Sequence, residues 1–201
     1  MPRTMLNDQH WSKLKSILRN FNIYLKPNLR NFIEAILFRI RTGCPWRDLP
    51  EEFGKSNSIF QKYNRWSIKD TIMKIFKLLA SDADIEWLFI DGTHVRAHQH
   101  SAGIKNQDIS KSIGGNSSKI HLAVDAHGNP IEFIISDGTT HNVKVAPTLV
   151  EKLDLNETEI LCADKGYDCE TLRDQIQKTK TKANIPRKSN TKSNNDHMDW
   201  Y

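Results

Sequence analysis

The chain lacks any long apolar run. No uninterrupted stretch passes five residues, far short of the roughly 20 needed to cross a bilayer. Its N-terminus, MPRTMLNDQHWSK, has no apolar core followed by a small-residue cleavage site, so no secretory signal is visible. Cysteine is scarce: Cys44, Cys162 and Cys169 are odd in number and form no C-x-x-C pair. That fits a reducing cytosol better than a disulfide framework or a structural zinc site. The expectation is a cytoplasmic protein with no membrane partner. What is present, 38% hydrophobic and 26% charged residues in 201, describes a globular protein with room for one large domain or two small ones.

Acid is also scarce in the first part. Residues 1–85 hold 15 Lys and Arg against 8 Asp and Glu, a balance of +7, whereas the remainder holds 14 against 16, a balance of −2. This asymmetry points to a polyanion-binding front end joined to a different kind of module, although such cations also solvate helix surfaces.

Periodicity divides the chain in the same place. Asn7 or Asp8 caps a helix carrying Trp11, Leu14, Ile17 and Leu18 on one stripe. A second helix runs from after Pro27, with Phe32, Ile33, Ile36, Leu37 and Ile40 at helical spacing, to Gly43. CPWRDLPEEFG is a Pro-punctuated loop. A third helix follows the capping Ser and Asn residues of SNSIFQKYNRW, and a fourth covers 69–80. Residues 1–80 are thus expected to form a small helical, DNA-binding domain. Lys62 and Arg65 share the third helix and are candidates for a recognition helix, although the preceding connection is longer than a helix-turn-helix turn.

From residue 86 the period changes to that of strands. Residues 87–96 read as a strand covered on both faces, 119–125 and 130–136 as a hairpin, 159–164 as a fourth strand and 182–187 as a fifth. Helices are expected at 146–154 and 169–179, and SAGIKNQDISKSIGGNSS, between the first strand and the hairpin, reads as a loop. The order is β-β-β-α-β-α-β, an α+β or α/β domain with a mixed sheet over 86–201.

Two apolar strands end in aspartate and run into a Gly-containing turn: WLFID before DGTH, and EILCAD before DKGYD. If those strands are neighbours, Asp91 and Asp164 emerge at one sheet edge, where sites of α/β domains form. Two carboxylates there repel unless one is protonated or a divalent cation lies between them. Mg²⁺ or Mn²⁺ is the natural bridge and would activate the oxygens of a phosphodiester displacement. The plainer alternative is that each aspartate caps the turn that follows it.

FIEAILFRIRTGCPWRDLPEEFG and YNRW, then FIDGTHVRAHQHSAG, GGNSSKIHLAVDAHGNP, GTTHNVKVAPTLV, ADKGYDCETLR and IPRK, resemble in order the IS-five-like branch of bacterial insertion-sequence DDE transposases. The resemblance implies a ribonuclease-H-like fold with Asp91 and Asp164 as the first two catalytic, metal-binding acids. It implies Mg²⁺- or Mn²⁺-assisted cleavage at element ends, then transfer of the freed 3′-hydroxyl to target DNA. Partners would be the terminal inverted repeats and target DNA, with the chain a homo-oligomer on them. Lys119 and His121 on the second strand, and His141 and Asn142 in the loop after the third, would line the site or touch DNA. Lys165 would meet phosphate.

That family's third carboxylate is a glutamate on a later helix, beyond a segment like DWY, and this chain stops at Tyr201. The expectation is a catalytic domain that is C-terminally incomplete, weak or inactive alone. A silent DNA-binding repressor, the upstream half of a frameshifted transposase and a stand-alone metal nuclease stay open as alternatives. Asp196 and Asp199 sit in polar sequence and are not promoted. His94, His98 and His100 share a strand face but lack a fourth zinc ligand at a recognised spacing. The basic stretch from Lys178 to Lys192, which includes Arg187 and Lys188, can track a DNA backbone.

Overall fold

The computed structural model describes residues 4–81, 83–97, 108–112, 115–189 and 198. The chain divides into two compact units, Met1–Leu79 and Ala80–Tyr201.

The first unit is helical: α1 (Asp8–Asn20), α2 (Leu29–Thr42), α3 (Ser56–Ile68) and α4 (Thr71–Ala80), with single 3-10 turns at Trp46–Asp48 and Glu51–Phe53. Asn7 caps α1 by accepting the His10 N–H at 2.7 Å, and Gly43 closes α2 at φ 69°, a left-handed conformation that glycine adopts without strain. Leu14, Leu18, Leu29, Phe32, Ala35, Leu49, Phe53 and Ile59 make the core. The segment before α1 is held by buried Glu34, which accepts the N–H groups of Met5 and Leu6 at 2.7 and 2.9 Å. The Pro-rich connection is anchored by Trp46, whose ring packs on Tyr63 at 4.9 Å and under the Arg39 guanidinium at 4.4 Å. One expectation fails at α3. Its N-cap is Lys55, with no side-chain cap bond, and the Ser and Asn residues lie inside the first turn.

The second unit is a mixed sheet of β1 (Trp87–Arg96), β2 (Ser110–Ser112), β3 (Gly115–Val124), β4 (Pro130–Asp137), β5 (Ile160–Ala163) and β6 (Lys182–Asn184). Two helices, α5 (Asn142–Glu151) and α6 (Glu170–Gln177), complete it. β1 pairs antiparallel with β3 on one side and parallel with β5 on the other. β4 extends the sheet beyond β3, and β6 lies parallel to β5. The order β4-β3-β1-β5-β6, with the last two strands parallel to the first, is the ribonuclease-H-like arrangement. Leu88, Ile90, Ala123 and Leu161 from the sheet bury against Leu149, Val150, Leu172 and Ile176 from α5 and α6.

Three expectations are corrected here. β1 is not covered on both faces: Leu88 and Ile90 are buried, but Phe89 between them is 38% exposed. The segment read as a loop contains β2, which no alternation announces because backbone pairing Ser110↔Ser117 makes it. And α5 begins at Asn142 rather than 146, so Asn142 is helical and His141 is its N-cap. Pro147 sits inside the helix, where its missing N–H deprives only the carbonyl one turn earlier.

Candidate active site

The parallel register pairs Ile90 with Ala163, the residues just before Asp91 and Asp164. Asp164 directly follows β5, whereas Asp91 lies in the middle of β1, still paired with Leu122 of β3, so the two aspartates stand side by side where β5 stops against β1, about 4.8 Å apart between strands. Both are exposed. Each uses one oxygen locally: Asp91 Oδ1 accepts the Gly92 N–H at 2.7 Å and Asp164 Oδ1 the Gly166 N–H at 2.9 Å. The capping role is thus real, and it occupies one oxygen of each carboxylate. Neither Oδ2 accepts a hydrogen bond among the described residues.

Glycine is required beside both acids for want of space. A Cβ on Gly92 would lie 2.9 Å from the Tyr167 hydroxyl, 3.0 Å from Lys119 Cε and 3.1 Å from Asn142 Oδ1. A Cβ on Gly166 would lie 2.9 Å from Asp164 Oδ1 and 3.1 Å from Asn142 Nδ2. The side chain of Asn142, from the first turn of α5, therefore reaches both strand ends. Its Oδ1 is buried and has no hydrogen-bond partner, and an acceptor left so costs about 1–3 kcal/mol unless something meets it.

Behind the aspartates lies a buried polar relay. Tyr167, fully buried, places its hydroxyl 3.3 Å from His121 Nδ1. His121 Nε2 is 3.0 Å from Ser136 Oγ, and Ser136 donates to the Asp137 carbonyl at 3.2 Å. One tautomer satisfies all three: Tyr167 donates to Nδ1, and Nε2–H donates to Ser136. Burial, then Lys119 and His94, hold His121 below its usual pKa, so it stays neutral. Burial, then the charges of Asp91 and Asp164, push the Tyr167 hydroxyl far above its usual value.

Other candidates fall elsewhere. Lys165 is exposed next to Asp164, and His141 is exposed at the N-cap of α5. His94 Nε2 lies 3.1 Å from the Gly138 carbonyl, while His98 and His100 are outside the described residues, as are Asp196 and Asp199. Arg187 pairs with Glu170 and with Asp168 at 3.6 Å, and Lys188 binds Asp168 through both its N–H and its ammonium. Those two side chains tie the C-terminal segment to α6. In the first unit, Lys62 is half-buried with its ammonium 4.3 Å from the Phe32 ring centre, and Arg65 is exposed.

Sequence reasoning gave no role to Ser136, to the spacing function of Gly92, or to Tyr167 beyond its motif. The repeated Asp-then-Gly turn was the available signal for Gly92. Nothing in the local pattern marks Ser136, which the β3–β4 register sets opposite Lys119 and diagonal to His121. A divalent cation fits what is here: two carboxylate oxygens without hydrogen bonds and an orphaned amide oxygen nearby form a hard, all-oxygen donor set. No group of three His, Cys, Asp or Glu able to hold a metal occurs among the described residues. No described helix is long and apolar enough to cross a membrane.

Comparison with known proteins adds to this geometry. Residues 6–76 match a family model described as "Putative transposase of IS4/5 family", and residues 82–198 one described as "Transposase DDE domain". Uncharacterized protein y4sN of Sinorhizobium fredii (strain NBRC 101917 / NGR234) is 33% identical over 124 residues, 60% of this chain and 95% of that protein. Among solved structures, the piggyBac transposase synaptic complex with hairpin DNA superposes with TM-score 0.47 at 14% identity, covering 92% of this chain. The Mos1 mariner paired end complex with Mn superposes with TM-score 0.34 at 11% identity, covering 89% of this chain and 68% of that one. This chain spans 50% of the length of the piggyBac chain.

Proposed function

Because the chain belongs to the DDE transposase family, whose domain model matches more than half of it, we propose that it is a DNA transposase. It hydrolyses a phosphodiester at the ends of an insertion sequence and joins the freed 3′-hydroxyl to target DNA. One observation carries this reading: the parallel pair Ile90↔Ala163 makes Asp91 and Asp164 neighbours on adjacent strands.

The roles follow from the surroundings of each group. Asp91 and Asp164 hold a divalent cation, Mg²⁺ or Mn²⁺, through the oxygens their glycine contacts leave over. Such a cation, when bound, activates the attacking oxygen and stabilises the leaving one. Glycine N–H groups fix the rotation of both carboxylates, so little freedom is lost when a ligand arrives. Lys119, lying across Gly92, and Lys165, beside Asp164, bring positive charge to the phosphate. Tyr167 keeps its proton against two negative neighbours and, through His121, links the turn after β5 to β3.

DNA is the partner, the element's inverted repeats and then the target, and the excess of cations before residue 86 gives the sequence-independent part of that affinity. Two element ends must be joined to one target, which calls for at least two copies of the chain.

The test is strand cleavage of terminal-repeat DNA with Mg²⁺ or Mn²⁺ by this chain supplied with a glutamate-bearing helix after residue 201. Cleavage should fall by about 10³-fold or more, ~4 kcal/mol of transition-state stabilisation, in Asp91→Asn and in Asp164→Ala. Cleavage that survives Asp164→Ala overturns the assignment.

A further inference from the structure

The first unit holds a cavity of about 750 Å³ that the catalytic reading does not use. Its size lies within the ~300–1,000 Å³ of sites that take a small molecule or one unit of a polymer. Lys26, Lys55, Lys62, Arg65 and Lys69 line it, and no acid does. Those five make no ion pair among the described residues. The N-caps of α2 and α3, Asn28 and Lys55, are also in the wall. Neither gives a side-chain cap bond, and neither helix has an acid in its first turn, so two positive helix ends add to the same field.

The cations are forced together rather than spread. Lys62 lies on the cavity floor, 4.3 Å from the Phe32 ring centre and 5.6 Å from that of Trp66. Its burial, then Lys26 and Arg65, hold its ammonium below the usual lysine pKa. An anion among them removes that repulsion. At the rim stands Tyr24, 79% exposed, the most exposed of the large apolar side chains. Its ring is open to stacking, unlike those of Phe32 and Trp66, which are packed edge to face at 5.0 Å.

We propose that this cavity seats an unpaired nucleotide of a DNA strand, its phosphate among Lys62, Lys26 and Arg65 and its base stacked on Tyr24. Concavity selects the unpaired form. An intact duplex is read by something convex that enters its ~12 Å major groove, whereas a hollow lined with cations and a free aromatic suits a single strand or a splayed-out base. The strand's identity as DNA rests on the transposase reading; the preference for an unpaired nucleotide rests on this cavity alone.

Binding of an oligothymidylate of about 12 nucleotides to the full chain, followed by fluorescence anisotropy without divalent metal, tests this, with a blunt hairpin duplex as comparison. Tyr24→Ala should weaken oligothymidylate binding about tenfold and leave duplex binding within about twofold, while Tyr24→Phe keeps both. Lys62→Met should weaken it similarly and lower the salt-dependence slope by about 0.7. Unchanged oligothymidylate affinity in Tyr24→Ala, a rim variant that touches no core, overturns the proposal. So does an equal loss for both DNAs, which would mean a general basic surface. Oligothymidylate binding that persists in Asp164→Ala, whatever that variant does to cleavage, keeps this site separate from the catalytic one.

Discussion

Asp164 and Asp168 lie on either side of one 3-10 turn and have opposite surroundings. Asp168 is 7% exposed and saturated. It takes two bonds from Arg173 at 2.9 and 3.0 Å and the backbone N–H of Lys188 at 2.9 Å, with Arg187 at 3.6 Å. Asp164 is exposed and accepts one local N–H. The same residue type is thus a structural clamp at one position and a group with spare ligating capacity at the other. A carboxylate's role is set by what already satisfies it, which the identity of the side chain does not reveal.

Replacing each in turn breaks the comparison most sharply. Asp168→Ala removes the partner of Arg173 and leaves a guanidinium 16% exposed beside an empty site. A cost of about 3–5 kcal/mol in unfolding free energy is expected, with loss of the anchor for the segment after β6. Asp164→Asn should change stability by less than about 0.5 kcal/mol. Urea unfolding of the two variants measures this directly, and equal losses would erase the distinction. Acid sharpens it. Burial raises the Asp168 pKa, but the Lys188 N–H and Arg173 outweigh this and hold it below the usual 3.8. Its contribution is therefore present above about pH 4 and disappears as pH falls through the lower folded value, so the gap between wild type and Asp168→Ala should narrow there.

The next effect concerns space rather than charge. Gly92→Ala puts a methyl group 2.9 Å from the Tyr167 hydroxyl, which is buried and cannot retreat, and 3.0 Å from Lys119 Cε, which can. A loss of about 1–3 kcal/mol is expected, together with weaker Mn²⁺ binding read by electron paramagnetic resonance. Gly43→Ala is the contrasting glycine. Open space surrounds its Cβ position, and the cost there comes from φ 69° alone, with no change in Mn²⁺ binding.

Much of this was legible in the chain because apolar periodicity and turn residues act locally. The strand that stops before Asp164, the hairpin about Gly128 and Asn129, and the helix closed by Gly43 all carry their signals in adjacent residues, whereas β1 runs on past Asp91 to Arg96 because β3 pairs with it. What escaped depends on distant pairing. β2 is Ser-Lys-Ser and exists because β3 offers it a free edge at Ser117. Asn142 read as a loop residue because the expected helix began at 146, yet its place in α5 is what brings its amide to both Gly92 and Gly166. Arg187 and Lys188 read as DNA contacts because a run of cations carries no sign of the buried Asp168 that holds them.

The smallest expected effect tests the relay behind the aspartates against the clamp at Asp168, because the two answer acid in different ranges. His121 is fully buried and neutral, with its folded pKa lowered from 6.5. Below pH 6.5 the unfolded chain takes up a proton that the folded one refuses, so stability falls as pH drops and levels off at the folded pKa. Asp168 contributes nothing in that interval, since its carboxylate is ionised in both states. Wild-type protein should therefore lose stability as pH falls below 6.5, measured by urea unfolding, and His121→Gln should lose less. Glutamine keeps a donor and an acceptor for Ser136 and Tyr167 but cannot titrate. An identical slope in the variant would place the proton uptake elsewhere and remove the reason for regarding His121 as the neutral link between Tyr167 and Ser136.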